Sequence, residues 1–77
     1  MTVPAARLYR VVLFAHGLLF DEVSAPIADV AIRQVMRANG IAFVHHAYAT
    51  LLEAGTVHPA VRFRDVRVQL PRMQEVQ

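Results

Sequence analysis

The sequence contains no cysteine, which removes disulfide bonds, thiolate zinc sites and thiol catalysis from the chemistry available to this 77-residue chain. Lysine and tryptophan are also missing, so all eight basic residues are arginines. The bias toward arginine, alanine and valine is typical of a GC-rich coding sequence, and we expect a prokaryotic or phage origin. A small fold without disulfides needs another source of stability, and oligomerisation is a common one.

Glycine and serine are scarce as well. The three glycines, Gly17, Gly40 and Gly55, lie far apart, which excludes the phosphate-binding loop and the dinucleotide-binding fingerprint. Ser24 is the single serine, and no nucleophile elbow surrounds it. We therefore predict a protein that is not an enzyme and needs no cofactor.

The chain is short, and it is apolar rather than strongly charged. Apolar residues make up 56% of it, charged residues make up 18%, and the net charge is +2, which is not the composition of a disordered chain. The length fits one domain, residues 1–77, with a flexible tail expected at residues 72–77. A domain of this size buries only about 60% of the surface of its unfolded chain, so its own core is marginal.

The longest apolar stretch, Val11–Phe20, has ten residues and is interrupted by His16 and Gly17, whereas a helix needs about 20 apolar residues to span a bilayer. The arginines ahead of this run imitate a secretory signal. However, Asp21, Glu22 and Pro26 are placed badly for the cleavage that would follow. We therefore expect a cytoplasmic protein with no membrane partner.

The order of elements is predicted from apolar patterns and turn residues. Leu8–Ala15 is predicted to be a strand, and its continuous apolar centre predicts burial on both faces. Leu18–Val23 is predicted to be a connector. Ala25–Ala38 is predicted to be a helix that Ser24 caps and that ends at Gly40, with this glycine in the left-handed conformation.

The second half of the chain is predicted to complete the sheet. Ile41–Ala54 is ambiguous: alternation favours a strand, and a helix ended by Gly55 is the alternative. Val61–Leu70 alternates clearly, apart from a change of phase at Arg64 and Asp65, where a β-bulge with two residues opposing one would return the apolar residues to one face. The predicted fold is α+β in the order β-α-β-β, with one helix packed on a three-stranded, mostly antiparallel sheet. The alternative order is β-α-α-β.

The best candidates for a binding site are basic. The residues predicted to bind a partner come from the last strand and from the helix: Arg62, Arg64, Arg67, Arg33 and Arg37. Guanidinium groups bind carboxylates and phosphates, so we expect an acidic surface of a larger protein complex or, alternatively, nucleic acid. Exposed aromatic side chains would favour nucleic acid through stacking, and the pattern places Phe63 on the buried side.

His45 and His46 are adjacent, which places them on opposite faces of a strand. We predict that one faces the core with a hydrogen bond and that the other is solvated. No ligand spacing predicts a metal site. A general acid–base role for either histidine, with Glu53 or Asp65, in a small enzyme whose site forms at a subunit interface is a further hypothesis.

The apolar surface exceeds what one helix and one sheet can hide, because the first strand, Ile41–Leu52 and the helix are each apolar on more than one side. Burying a further ~500 Å² would contribute about 12 kcal/mol before association costs, against about 5 kcal/mol for the total stability of a small domain. We therefore predict a homodimer or an obligate complex, built on a shared sheet face or on paired helices. The leading functional hypothesis is a non-enzymatic protein-interaction module that blocks a larger complex, in the manner of phage or mobile-element inhibitors such as anti-CRISPR proteins.

Overall fold

One helix and five strands are formed by the residues that this computed structural model describes, which are 6–15, 17–53 and 55–70. In chain order the elements are β1 (Arg7–Phe14), β2 (Leu18–Ala25), α1 (Ala28–Ala38), β3 (Phe43–Glu53), β4 (Thr56–Val57) and β5 (Val61–Arg67). The tail predicted at residues 72–77 lies outside the described residues.

Every strand pair of the sheet is antiparallel. β1 lies between β2 and β3, while β5 pairs with the first part of β3 and β4 pairs with its last two residues. α1 packs on one face of this sheet, which confirms the predicted α+β class with one helix on an antiparallel sheet. Because Phe43–Glu53 is one continuous strand, the alternative order with a second helix is wrong.

The sheet has two strands more than the sequence predicts, namely β2 and the short β4. β2 replaces the predicted connector Leu18–Val23, and its eight residues pair one for one with those of β1. Gly17 closes the turn between the two strands with a φ of 151°, a conformation that favours glycine. β1 and β2 therefore form a hairpin, and β2 is an edge strand.

Helix α1 departs from the prediction at its start and agrees with it at its end. Ser24 lies in β2, so the predicted Ser24 cap is wrong, and Ile27 is the N-cap residue without any side-chain hydrogen bond to the helix. At the other end Gly40 adopts the predicted left-handed conformation, with a φ of 67°. The N–H of Ile41 donates to the carbonyl of Met36 at 2.8 Å, which completes a Schellman motif.

The core lies between α1 and the face of the sheet that α1 covers. Its fully buried side chains come from both sheet and helix: Val11, Leu13, Ala25, Ala31, Ile32, Val35, Met36, Val44, Ala47 and Ala49. The apolar side chains of the helix are mostly used in this core, so the apolar excess predicted for α1 is small. The excess lies on the sheet instead.

Near the middle of their pairing, β3 and β5 both shift by one residue the alternation of buried and exposed side chains, which is the change of phase predicted from the sequence. Val44 pairs with Val66, and both are buried. Two positions further along β3, where a regular strand would again face the core, His46 pairs with Arg64, and both are exposed. Pairing is interrupted at the step between them, where Asp65 has a φ of 50°. The predicted change of phase is confirmed, but the predicted two-against-one bulge is wrong, because the register is the same on both sides of this step.

Candidate binding surface

The sheet face turned away from α1 carries no helix in the part of the chain that the structure describes, and we call it the open face. Directly paired residues of antiparallel strands share a face, so the pairing defines rows of side chains that cross the open face. The first row is Leu18, Phe14, His46 and Arg64; the second is Phe20, Val12, Tyr48 and Arg62; the third is Glu22, Arg10 and Thr50.

The half of the open face formed by β1 and β2 is apolar, and we call it the apolar half. Phe20 is 65% exposed, Leu18 is 56% exposed and Phe14 is 40% exposed. The charges of this half cancel, because Arg10 Nη2 lies 3.4 Å from Glu22 Oε2. Large exposed apolar side chains in one patch are typical of a surface that another molecule covers.

The half formed by β3 and β5 is basic and aromatic, and we call it the basic half. Across the two strands each arginine faces a ring, in the pairs Arg62–Tyr48, Arg64–His46 and Arg67–Phe43. The last pair is in cation–π contact, with the guanidinium carbon 4.6 Å from the ring centroid. No carboxylate of the described residues forms an ion pair with any of these three arginines, so their charge is available to a ligand.

The rings of the basic half come from a strand that the sequence pattern does not connect to the arginines. Phe63, the aromatic residue of β5 itself, is partly buried against the core, as predicted. Tyr48, His46 and Phe43 belong to β3 and meet the arginines through the register of the two strands. A cross-strand neighbour depends on this register, so the pattern of one strand alone gives no signal for it.

The two helical arginines lie on the other side of the domain. Arg33 Nε lies 3.1 Å from Asp29 Oδ2, and Nη1 of the same guanidinium group donates to the backbone carbonyl of Arg67. Arg33 therefore ties α1 to the end of β5, and Arg37 is exposed on the helix. The structure brings together the three strand arginines of the predicted set and does not bring Arg33 and Arg37 to the open face.

A shallow depression lies where the two halves of the open face meet. It has a volume of about 210 Å³ and is lined by Phe14, Tyr48, His46 and Arg62. Phe14 and Tyr48 meet edge to face, with 5.6 Å between ring centroids. Sites for small molecules usually enclose about 300–1,000 Å³, so this depression suits a single side chain of a macromolecular partner.

The adjacent histidines are both exposed, so the prediction that one faces the core is wrong, and the change of phase in β3 is the reason. His45 Nδ1 lies 3.2 Å from Asp65 Oδ1, a pair that the acid–base hypothesis names, with side chains 76% and 69% exposed. A second contact joins His58 Nε2 to Glu53 Oε2 at 3.1 Å. Among the described residues no group of three or more histidine, aspartate or glutamate side chains is placed to hold a metal ion.

No helix within the described ranges is both long and apolar enough to cross a membrane. Comparison of the chain with protein-family models, with curated proteins and with solved structures gives no match.

Proposed function

We propose that the protein is a non-enzymatic binding module and that its open face binds an acidic patch on a larger protein complex. The observation that carries this proposal is the set of three β5 arginines that form no ion pair with any described carboxylate. They stand beside exposed aromatic side chains on the same sheet face. Tyrosine, phenylalanine and arginine are enriched in protein interfaces, whereas lysine, which this chain lacks, is depleted there.

The chemistry of the open face defines the partner. Each guanidinium group can hold a carboxylate through two parallel hydrogen bonds, so Arg62 and Arg64 suit aspartate or glutamate side chains. The exposed rings of Phe14 and Phe20 supply apolar area beside them, and the depression accepts one anchoring side chain. The fitting partner is therefore an acidic surface with an apolar residue at its centre.

The mode of action that suits such a surface is occlusion. A sheet backed by a helix presents its binding residues on rigid elements, and covering a partner's working surface needs no reaction and no cofactor. Small phage and mobile-element inhibitors, including anti-CRISPR proteins, act on their targets in this general way. Action on a complex inside the cell agrees with the cytoplasmic location expected from the sequence.

The proposal is tested by affinity capture from the native host with matched charge variants. R62E/R64E reverses two charges of the basic half, and R7E/R37E reverses two charges away from the open face, at positions that are also exposed. We expect the wild type and R7E/R37E to retain the same protein partner and R62E/R64E to lose it. Equal retention by both variants would refute the role of the open face, and equal loss would show that net charge alone governs binding.

A second candidate function, binding of single-stranded nucleic acid, is favoured by one specific observation. The pairs of arginine and ring on the basic half combine phosphate-binding groups with side chains on which bases can stack. In the capture experiment a partner that is released by nuclease would support this candidate over the protein partner.

The homodimer predicted from the sequence belongs to the same proposal. The residues that the structure describes leave the apolar half uncovered, and burying it against another copy would add to the small core of this domain. Sedimentation of the purified chain across micromolar concentrations tests the dimer directly, since a monomer of 8.6 kDa at every concentration contradicts it.

A further inference from the structure

We propose that a second copy of this chain covers the open face when no target is bound, with β2 of each copy lying over β5 of the other. This inference rests on the proposed function in one respect, which is that target and second copy use the same face. Binding of the target and self-association therefore exclude each other, and the dimer is a form in which the basic half is masked.

Two arrangements with a twofold axis can bring the open faces of two copies together, and the charges on these faces favour one of them. A twofold axis that crosses the strands would place β5 over β5 and would set Arg62, Arg64 and Arg67 against their own copies, which like-charge repulsion opposes. An axis that runs along the strands places β5 over β2 instead. The arginines of each copy then face the strand that carries Phe20 and Glu22.

The rows of the open face are complementary in this second arrangement. An axis along the strands lays each row over itself in reverse order, so Arg62 of one copy lies over Phe20 of the other. A guanidinium group over a phenyl ring is a favourable cation–π pair. Glu22 stands two residues further along β2, about 6.8 Å away, which a long arginine side chain can span. Its carboxylate already pairs with Arg10 of its own chain, and two carboxylate oxygens can accept from both guanidinium groups.

The centre of the open face fits itself as well. In the first row Phe14 of one copy lies over His46 of the other, and in the second row Val12 lies over Tyr48. The depression of about 210 Å³ is lined by Phe14, His46, Tyr48 and Arg62, so it lies under the apolar side chains that the second copy brings. The dimer contains two such depressions, one on each copy, and each receives an apolar side chain from the other copy.

The area of the face indicates a reversible dimer. Four strands spaced about 4.8 Å apart, each about eight residues long at 3.4 Å per residue, present roughly 500 Å² of flat area per copy. Stable interfaces usually bury about 800 Å² of accessible surface per partner, so this dimer falls near the small end of the range. A target that also pairs with the arginines can therefore displace the second copy.

Charge-reversed variants test the arrangement, because the twofold axis creates each contact twice. In E22R both sites bring arginine against arginine, and in R62E both bring glutamate against glutamate, so each variant alone should sediment as a monomer. An equimolar mixture can form a dimer of one E22R chain and one R62E chain. At one site of this dimer the two substituted positions face each other with opposite charges, and at the other site the original Glu22 faces the original Arg62. The mixture should therefore sediment as a dimer, while the R37E control dimerises like the wild type.

The results that overturn the proposal are distinct from those that overturn target binding. A wild-type chain that stays monomeric, or an E22R variant that dimerises as well as the wild type, refutes the stacked dimer. Loss of capture in R62E/R64E with no dimer in the wild type would leave the proposed function standing alone.

A thiol crosslink gives a second measurement that does not depend on charge. The chain has no cysteine, and Phe20 and Arg62 lie at opposite edges of the sheet, about 14 Å apart across three strand spacings. When F20C and R62C chains are mixed and treated with a short bismaleimide, we expect a covalent dimer containing one chain of each kind. Crosslinks of F20C chains to each other in equal yield would contradict the arrangement of β2 over β5.

Discussion

His45 and Asp65 bridge the step at which β3 and β5 interrupt their pairing, with Nδ1 of the histidine 3.2 Å from Oδ1 of the aspartate. Both strands exchange their buried and exposed faces at this step. Strict alternation would place Arg64 and Arg67, three residues apart, on opposite faces of the sheet. The interruption therefore puts both arginines on the open face beside the rings of β3.

The backbone of Asp65 predicts an unusual order of stability among its variants. Its φ of 50° lies in the left-handed region, which costs about 1–2 kcal/mol for most residues and much less for glycine. We expect D65V to lower the free energy of unfolding by about 2 kcal/mol and D65G to change it by about 0.5 kcal/mol or less, as measured by urea denaturation. An ordinary strand position would prefer valine, so a D65V variant more stable than D65G would contradict the observed conformation.

The two faces of the sheet predict opposite outcomes for two leucines. Leu13 is completely buried under α1, whereas Leu18 is 56% exposed on the open face. L13A should lower the free energy of unfolding by about 3 kcal/mol, and L18A should change it by about 0.5 kcal/mol or less. Urea denaturation at a concentration where the chain is monomeric measures both values. Similar losses in the two variants would mean that the open face is covered within the monomer.

The start of α1 offers a stabilising substitution. Ile27 is the N-cap residue, it is exposed, and its side chain leaves the first N–H groups of the helix without a cap. An aspartate there can accept a hydrogen bond from those groups and also places a negative charge at the positive end of the helix dipole. I27D should raise the free energy of unfolding by about 1 kcal/mol, with I27A as the control that offers no cap. A gain no larger than that of I27A would show that the helix does not start at this residue in solution.

The basic half makes a quantitative prediction for the nucleic-acid candidate. Each phosphate contact with a single strand contributes about 0.7 to the slope of log affinity against log salt concentration. If Arg62 and Arg64 each hold one phosphate, R62A/R64A should reduce this slope by about 1.4, as measured by fluorescence anisotropy with a labelled oligonucleotide. R7A/R37A removes the same charge elsewhere and should leave the slope unchanged. An unchanged slope in both variants would exclude the basic half as the nucleic-acid site.

Local signals in the sequence predict the class of fold and one helix end correctly. The turn at Gly40 specifies its own left-handed backbone, and the alternation in Val61–Leu70 shows both the strand and its change of phase. β2 escapes prediction because Asp21 and Glu22 interrupt its apolar pattern. As residues of an edge strand they are exposed, and charged side chains of this kind protect an edge from pairing with other chains.

About half of the candidate site, the arginines of β5, could be predicted from the sequence, and the neighbouring side chains of β3 could not. The outward arginines of β5 follow from alternation within one strand, which is a local property. Their neighbours Tyr48 and His46 follow from the pairing of strands that are distant in the sequence, and so does the shift that exposes both His45 and His46. Non-local register is set by the packing of α1 and the whole sheet, and a single strand carries little information about it.

Side-chain footprinting of the captured complex tests most directly whether the open face is the binding surface. Phe14, Phe20 and Tyr48 lie on the open face, whereas Ile27 is exposed at the start of α1 and serves as an internal control. With hydroxyl radicals and a concentration at which the chain is monomeric, we expect the three rings to be oxidised in the free protein and protected in the complex, with Ile27 reactive in both. Protection of Ile27 while Phe20 and Tyr48 remain reactive would place the partner on the helix side and contradict the central claim.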